Sequence, residues 1–554
     1  MPTSIQNWEA ASALLADAVT NYLKFSTFLE TSNLEPGGNP DDLVSRIDTS
    51  LQTLHKTLDQ QLHHSRAALA KTRNRLASPI YCLPEETLCE IFLLSACGPN
   101  KYRRRFPPDA GEQVRTIYHR LYNLLGVCTA WRKIGLNHPK FWSIVPMVDS
   151  TYACWHSLSV DLSMHRSGVQ NLHVVVDATH HSANFRIKDF HLLAEGSSRI
   201  QSLNIRSKHP EDFPFVLPVL FLQGVPENLS ELALCYIGEE NKVYRTSPEN
   251  DLFAQRLAPL LPHFPELMGS LRACRISNVP FEWKHITFSA RLVELRIESI
   301  ALAGDLAITA FMTALSSACQ LRDLKLIRIE AFSDWGSTLP GSQLSLPRLQ
   351  TVYLEELYFN VLELILQSIA PGSYHLTLNL SERIRQNLLA DLHTEDVRTE
   401  TIHQLLAQHA IKRLILADDV ESWAIGKGLN NLLRSLPALT SLEIYFYKLD
   451  SRLFKALTPL SDRQDTPFPK LEVLEFRGST IQGGIAGLPR LTTKHPIQCL
   501  VLGQSMFLPG SDEQVVRIDK KDKNVRWLKD NIAGFHFIPH DENTSGCSDM
   551  MWPL

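Results

Sequence analysis

The chain has no apolar run long enough to cross a membrane and no sign of a secretory leader. Its most apolar stretch, residues 213–225, is interrupted by Pro214 and Pro218. It also falls short of the ~18 apolar residues that a transmembrane helix needs. The first twenty residues contain Glu9 and Asp17 and have neither a basic start nor a continuous apolar run. The sequence therefore predicts neither a membrane span nor a secretory signal.

Cysteine is too dispersed to build a disulfide framework or a zinc site. The ten cysteines are scattered along the chain, and the closest pair, Cys82 and Cys89, does not form a CxxC motif. Disulfide scaffolds and structural zinc sites bring their cysteines much closer together. We therefore expect reduced thiols, no bound metal, and a cytoplasmic or nuclear location.

Sequence motifs of catalysis are also missing. Residues 503–507 lack the final glycine of a nucleophile elbow, and residues 426–431 lack the third glycine of a dinucleotide loop. Neither a phosphate-binding loop nor an HExxH motif occurs. The sequence predicts no catalytic residue, no cofactor and no enzymatic activity. A hydrolase built from dispersed residues is the enzyme-class alternative.

What the sequence does contain is the composition of a soluble globular protein of several units. Hydrophobic residues make up 44% and charged residues 21% of the 554 residues. The net charge is −4, so no overall field attracts nucleic acid or an anionic membrane, and neither is expected as a partner. The length predicts about three or four units.

Residues 1–78 carry two apolar stripes with helical spacing. The first stripe is Trp8, Ala11, Leu15, Ala18, Tyr22, Phe25 and Leu29, and the second is Leu43, Ile47, Leu51, Leu54, Leu58 and Leu62. Between them, Asn39 followed by Pro40 predicts the cap and first turn of a new helix. The pattern fits a helical hairpin or one arm of a coiled coil. Its apolar face either packs on the next domain or mediates self-association.

Residues 79–147 contain three short sequence blocks in a fixed order. The first is marked by a leucine–proline pair, the second by a cysteine and a tryptophan, and the third by a phenylalanine–tryptophan pair. The blocks contain Leu83, Pro84, Glu85, Leu88, Ile91 and Phe92; Leu124, Val127, Cys128, Trp131 and Arg132; and Pro139, Phe141 and Trp142. They predict short amphipathic helices that are too small to bury much core without a partner. The clustered aromatic residues either anchor a docking surface or only hold a small bundle together.

The order and spacing of these blocks resemble the F-box family. The resemblance implies a three-helix module that docks on the Skp-type adaptor of a cullin–RING ubiquitin ligase. The residues it implies for adaptor binding are Leu83, Pro84, Glu85, Leu88, Ile91, Phe92, Leu124, Val127, Cys128, Trp131, Phe141 and Trp142. The sequence departs from the family in an insert at 98–113, expected to form a surface loop, and the insert puts adaptor affinity in doubt. Its basic residues 101–105 are either part of that loop or a nuclear-import signal.

Residues 148–511 repeat a short apolar unit, L-x-x-L-x-[LIVF]. Its second apolar position falls at residues 172, 203, 232, 274, 295, 324, 352, 376, 414, 442, 474 and 500. Most intervals are near the ~20–29 residues of a leucine-rich repeat, which predicts stacked units with a parallel strand ladder inside and helices outside. The asparagine that usually binds the turn backbone is replaced by Ile237, Val279, Ile300, Ile329 and Leu357. We therefore expect irregular turns and uneven curvature, and a C-terminal cap with a tail over residues 512–554.

The residue between the last two apolar positions of each unit is expected to face the concave surface, because strand side chains alternate. At this position, cations occur in the middle units of the array and acids occur in the later units. The pattern predicts either a substrate-binding surface or an ordinary solvent-exposed face. Its candidate residues are Arg275, Arg296, Lys325, Tyr353, Glu443 and Glu475.

Together these features predict an α/β chain with a helical front and an irregular leucine-rich-repeat solenoid. By its resemblance, it is expected to act as a substrate-recognition subunit that links an unidentified target protein to a ubiquitin ligase. The binding-class alternative is a leucine-rich-repeat scaffold that never meets a ligase.

Overall fold

The computed structural model describes most of the chain, and the ranges that follow are the ones discussed. They are residues 3–31, 39–98, 110–148, 156–178, 187–209, 212–221, 224–237, 264–279, 286–302, 304–332, 343–417, 426–445, 448–449, 451–458, 468–482, 487–507, 515–517 and 523–537. Residues 99–109 of the predicted loop at 98–113, with the basic cluster at 101–105, and much of the predicted cap and tail at 512–554 lie outside them. The loop prediction was wrong for residues 110–113, which form the first turn of a helix. The chain has two compact units, residues 1–88 and 89–554.

The first unit is built on a helical hairpin. Helix α1 spans Ser4–Thr31, and a long helix spans residues 40–77, composed of α2 (Pro40–Thr49), a π-helical turn (Ser50–His55) and α3 (Lys56–Ala77). As predicted, Asn39 caps the second helix: its side chain accepts a hydrogen bond of 3.1 Å from the backbone N–H of Asp41.

One tyrosine joins the two helices of this hairpin. The Tyr22 hydroxyl lies 3.0 Å from Ser50 Oγ and 3.2 Å from His55 Nε2. Tyr22 precedes the end of α1 by about as many residues as Ser50 follows the start of α2. The helices are therefore antiparallel neighbours, which favours the hairpin over the isolated coiled-coil arm.

Short helices begin the second unit. Helix α4 (Glu85–Cys97) crosses the boundary between the two units and is followed by α5 (Ala110–Val127), α6 (Thr129–Asn137) and a 3₁₀ turn at Pro139–Trp142. Cys128 caps α6, because its Sγ accepts a hydrogen bond of 3.4 Å from the Trp131 N–H. We call residues 89–142 the helical module.

A long, almost entirely parallel sheet forms the rest of the second unit. Among the described residues, sixteen strands belong to it. Along the main path they are β1 (Ile144–Val148), β2 (Leu172–Ala178), β3 (Ile200–Ser207), β4 (Glu231–Tyr236), β5 (Ala273–Ser277), β6 (Glu294–Glu298), β7 (Asp323–Ile327), β8 (Thr351–Glu355), β9 (His375–Leu380), β12 (Ile411–Leu416), β13 (Ser441–Tyr445), β15 (Val473–Gln482), β16 (Cys499–Phe507) and the antiparallel β17 (Val515–Arg517). Strand β14 (Lys448–Leu449) pairs with β15 and β18 (Gly534–Phe537) with β16, while β10 (Gln386–Leu388) and β11 (Thr394–Asp396) form a separate hairpin.

Helices connect many of the successive strands, as parallel pairing requires. Those described are α7 (His156–Arg166), α8 (Ile187–Glu195), α9 (Asp212–Leu220), α10 (Phe264–Ser270), α11 (Asp305–Ser316), α12 (Phe359–Ser368), α13 (Thr399–Ala407), α14 (Lys427–Arg434), α15 (Ser451–Ala456), α16 (Gly487–Thr492) and α17 (Lys523–Asn531). The predicted α/β class is confirmed in this mixed architecture with a long parallel sheet.

The repeated apolar positions align in columns across the sheet. Leu232, Leu295 and Leu324 stack in register and are fully buried. The sequence placed the first unit two residues early, since Val174 and not Leu172 pairs with Leu203. Strand β1 was not predicted, because residues 144–147 were assigned to the helical domain that precedes the repeats.

Regular turns replace the missing asparagines over four neighbouring strands, contrary to the irregularity predicted. The residue after β5, β6, β7 and β8 has a positive φ of 48–56° in each case: Asn278, Ser299, Arg328 and Glu356. The backbone N–H of each donates to a carbonyl oxygen on the next strand, at 2.8–3.2 Å. The apolar residue that stands in the asparagine position, Ile300 for example, is buried and packs in the core.

Candidate interaction surfaces

Several of the residues predicted to bind an adaptor form the core of the helical module. Phe92, Phe141 and Trp142 are buried. The ring of Phe92 lies 4.6 Å from that of Trp131 and 6.4 Å from that of Phe141, centroid to centroid. The indole N–H of Trp142 donates a hydrogen bond of 2.9 Å to the Gly135 carbonyl oxygen. These aromatic side chains hold the module together.

Other predicted residues of the same module remain accessible. Ile91 is 38% exposed and Val127 is 58% exposed. Leu94, which the sequence analysis did not select, is 73% exposed one helical turn after Ile91. Leu124, Cys128 and Trp131 are half-buried. The module therefore presents apolar side chains outside its own core.

In the first unit, the leucine–proline block is mostly accessible. Leu83, Pro84 and Glu85 are exposed at the start of α4, whereas Leu88 is buried. Leu88, like Phe92 later in the block, therefore cannot touch a partner without a rearrangement.

Polar contacts fix the helical module to the first strands of the sheet. The Tyr118 hydroxyl lies 2.6 Å from both the Ile144 carbonyl oxygen and Ser163 Oγ. Burial raises the pKa of Tyr118 above its ordinary value. The backbone N–H of Gly111, at the start of α5, donates a hydrogen bond of 2.8 Å to Asp177 Oδ2 on β2. Sequence patterns alone could not reveal these contacts, which join residues up to 66 positions apart.

Two of the three mid-array cations, both arginines, are paired with acids on the same face of the sheet. Arg275 lies 2.8 Å from Glu294, and Arg296 lies 3.0 Å from Glu298, measured between nitrogen and oxygen. Both arginines are buried. Residues two positions apart on a strand share a face, so the sequence already indicates that Glu294 and Glu298 lie on the same face as Arg296.

Lys325 and Tyr353 are the more accessible members of the predicted set, and both are half-buried. They are paired neighbours on β7 and β8. The Tyr353 hydroxyl accepts a hydrogen bond of 3.4 Å from the Asn379 side chain, which also donates to Glu355 at 2.9 Å. A tyrosine held in this way offers its ring as a fixed contact surface.

The late acids belong to a compact ionic cluster, which we define as Glu443, Glu475, Arg413, Arg477 and Tyr445. Arg477 lies 3.2 Å from Glu443 and 2.7 Å from Glu475, and Arg413 pairs with Glu443. The Tyr445 hydroxyl donates a hydrogen bond of 2.5 Å to Glu443. Burial and the Glu443 carboxylate raise the pKa of Tyr445. The two carboxylates are thus already neutralised by two guanidinium groups.

Within the described part of the chain, no group of three or more histidine, cysteine, aspartate or glutamate side chains is placed to hold a metal ion. None of the described helices combines the length and apolarity needed to traverse a bilayer. No family model and no curated protein matches this sequence.

Proposed function

We propose that the chain is an F-box substrate-recognition subunit, which links target proteins to the Skp-type adaptor of a cullin–RING ubiquitin ligase. The observation that carries the proposal is a division among the residues that resemble the F-box motif. Phe92, Phe141 and Trp142 are used internally, whereas Ile91 and Val127 stay exposed. Exposed aliphatic side chains on a small helical module are suited to binding a hydrophobic groove.

We propose in turn that residues 148–511 are a leucine-rich-repeat array that holds the target. The long parallel sheet supports this role, because stacked repeats create an extended binding surface. Lys325 and Tyr353 are its proposed contact residues, because they are the accessible members of the predicted set. The other four members, Arg275, Arg296, Glu443 and Glu475, are buried in ion pairs. Catalytic advantage would come from holding the target near the ubiquitin-loaded enzyme at a high effective concentration, in the cytoplasm or nucleus.

The direct test is co-purification of the full chain with a recombinant Skp-type adaptor. We expect a stable complex that is lost in the double variant Ile91→Asp/Val127→Asp, because each carboxylate would have to be desolvated in the groove. The matched control is Val169→Asp, since Val169 is 90% exposed and lies outside the module. Loss of binding in Leu83→Ala/Pro84→Ala is also expected. Failure to form the complex, or its survival in both double variants, would overturn the proposal.

A scaffold that never joins a ligase is the second candidate. It is favoured by the hydrogen bonds of Tyr118 and Gly111, which fix the helical module to the sheet. A module that packs internally needs no adaptor for its stability. A chain that stays folded but never captures the adaptor would support this candidate.

A further inference from the structure

The hairpin of the first unit leaves its apolar side chains uncovered. No residue of α1, α2, the π-helical turn or α3 is buried. Seventeen large apolar side chains of these helices are exposed, among them Leu14, Tyr22, Phe25 and Phe28. Such a set exposes on the order of 1,000 Å² of apolar surface, whereas a monomer rarely exposes more than a few hundred.

The apolar surface of α1 is too wide for one neighbouring helix. With about 100° between successive residues, its apolar positions cover an arc of about 220°, where a single packed neighbour needs a stripe of about 100°. Tyr22 marks the middle of the arc, which faces the long helix. Leu14, Phe25 and Phe28 lie on one flank of the arc, and they are 65–70% exposed. That flank is suited to a second helix.

The charges of the hairpin indicate which helix could fill it. Because Tyr22 is level with residues 50–55, each step back along α1 corresponds to a step forward along the long helix. Asp17 is then level with Lys56 and Glu9 with Arg66, while Lys24 is level with Asp48 and Glu30 with Arg46. Asp17 and Lys24, the two charged residues on the side of the flank, are therefore each level with an opposite charge on the long helix. The long helix of a second hairpin packed on the flank would present these opposite charges at the same heights.

We propose that a second copy of this chain occupies the flank, so that two hairpins form a four-helix bundle in which each α1 packs between its own long helix and that of the other copy. Neighbouring helices are antiparallel in this arrangement, as the helix dipoles favour. The two hairpins point the same way, which places Asp17 level with Lys56 and Lys24 level with Asp48 across the dimer. The exposed apolar area of the whole hairpin is of the same order as the ~800 Å² that each partner of a stable interface buries. This association does not depend on the proposed ligase role.

The first test is the mass of the full chain in solution, measured by light scattering during size-exclusion chromatography. We expect twice the 62.6 kDa of one chain. The double variant Leu14→Glu/Phe28→Glu should return the mass to that of one chain, with its helical circular dichroism retained, because two carboxylates would be buried in the bundle. Val169→Glu is the matched control and should remain dimeric.

A second measurement needs no variant. Dimers mixed from ¹⁴N- and ¹⁵N-labelled chains, treated with a zero-length carbodiimide, should yield mixed-isotope cross-links between Asp17 and Lys56 and between Lys24 and Asp48. A single-chain mass at all micromolar concentrations would overturn the proposal and leave the flank to another partner. A trimeric or larger mass, or a dimer that persists in the double variant, would also overturn it, as would inter-chain cross-links confined to residues 89–554.

Discussion

The Tyr118 hydroxyl donates a hydrogen bond of 2.6 Å to the carbonyl oxygen of Ile144, the first residue of β1. Ser163 Oγ lies at the same distance and donates in turn to the Tyr118 oxygen. One buried side chain thus connects α5, the first strand and α7. The helical module and the sheet are joined by a contact that no local pattern encodes.

Replacing Tyr118 by phenylalanine should therefore destabilise the second unit. The substitution leaves the Ile144 carbonyl and the Ser163 hydroxyl buried without their partner, at a cost of about 1–3 kcal/mol. Chemical denaturation followed by tryptophan fluorescence would measure the loss. The exposed neighbour Tyr122 is the control, and Tyr122→Phe should change the free energy of unfolding by less than about 0.5 kcal/mol. Equal effects of the two variants would contradict this role.

Glycine at Ser299 should stabilise the sheet. Ser299 has a φ of 55°, a conformation that costs an L-residue roughly 1 kcal/mol and glycine almost nothing. We expect Ser299→Gly to raise the free energy of unfolding by up to about 1 kcal/mol and the β-branched Ser299→Val to lower it. The control, Ser441→Gly in the regular strand β13, should be destabilising by about 0.5–1 kcal/mol. A loss of stability in Ser299→Gly would show that the turn is not strained.

The ionic cluster should depend strongly on Arg477. Glu443 is 3% exposed in its side chain, so removing one guanidinium leaves excess negative charge in a buried place. Arg477→Met should cost about 3 kcal/mol. The exposed pair Arg46–Asp42, with side chains 77% and 68% accessible, offers the contrast. Arg46→Met should cost less than about 1 kcal/mol, and urea titrations of both variants would compare them.

His495 should make folding stability fall in mild acid. Burial lowers its pKa, although hydrogen bonds to backbone groups oppose the shift. Its Nε2–H donates to the Leu457 carbonyl at 2.7 Å, and its Nδ1 accepts from the Leu471 N–H at 3.3 Å, so the folded chain holds the neutral ring.

The unfolded chain takes up a proton below a pKa of about 6.5, while folded His495 does not until its lowered pKa is reached. Stability due to this residue is therefore complete above about pH 6.5 and declines as the pH falls below it. Unfolding measured between about pH 7.5 and 5 should show a smaller pH slope in His495→Asn. Other histidines also have lowered pKa values, His403 and His409 among them, so the difference between the two slopes is the relevant quantity. Identical pH slopes in the unsubstituted protein and in His495→Asn would show that His495 does not contribute to the pH dependence of stability.

The amino-acid sequence by itself determined the local elements. Asn39 and Pro40 specified where the second helix begins, and the alternating apolar residues of each unit, such as Leu295 and Ile297, specified the strands. These signals are local because a helix cap and an alternating strand depend on residues only a few positions apart.

Only the tertiary structure decided which of these side chains remain accessible. Phe92 and Ile91 are adjacent and equally apolar, yet one packs on Trp131 and the other is exposed. Arg275 was predicted to face a partner, but Glu294, 19 residues away, neutralises it. Burial and ion pairing are set by neighbours distant in sequence, and their positions follow from strand register and helix packing, which short patterns do not record.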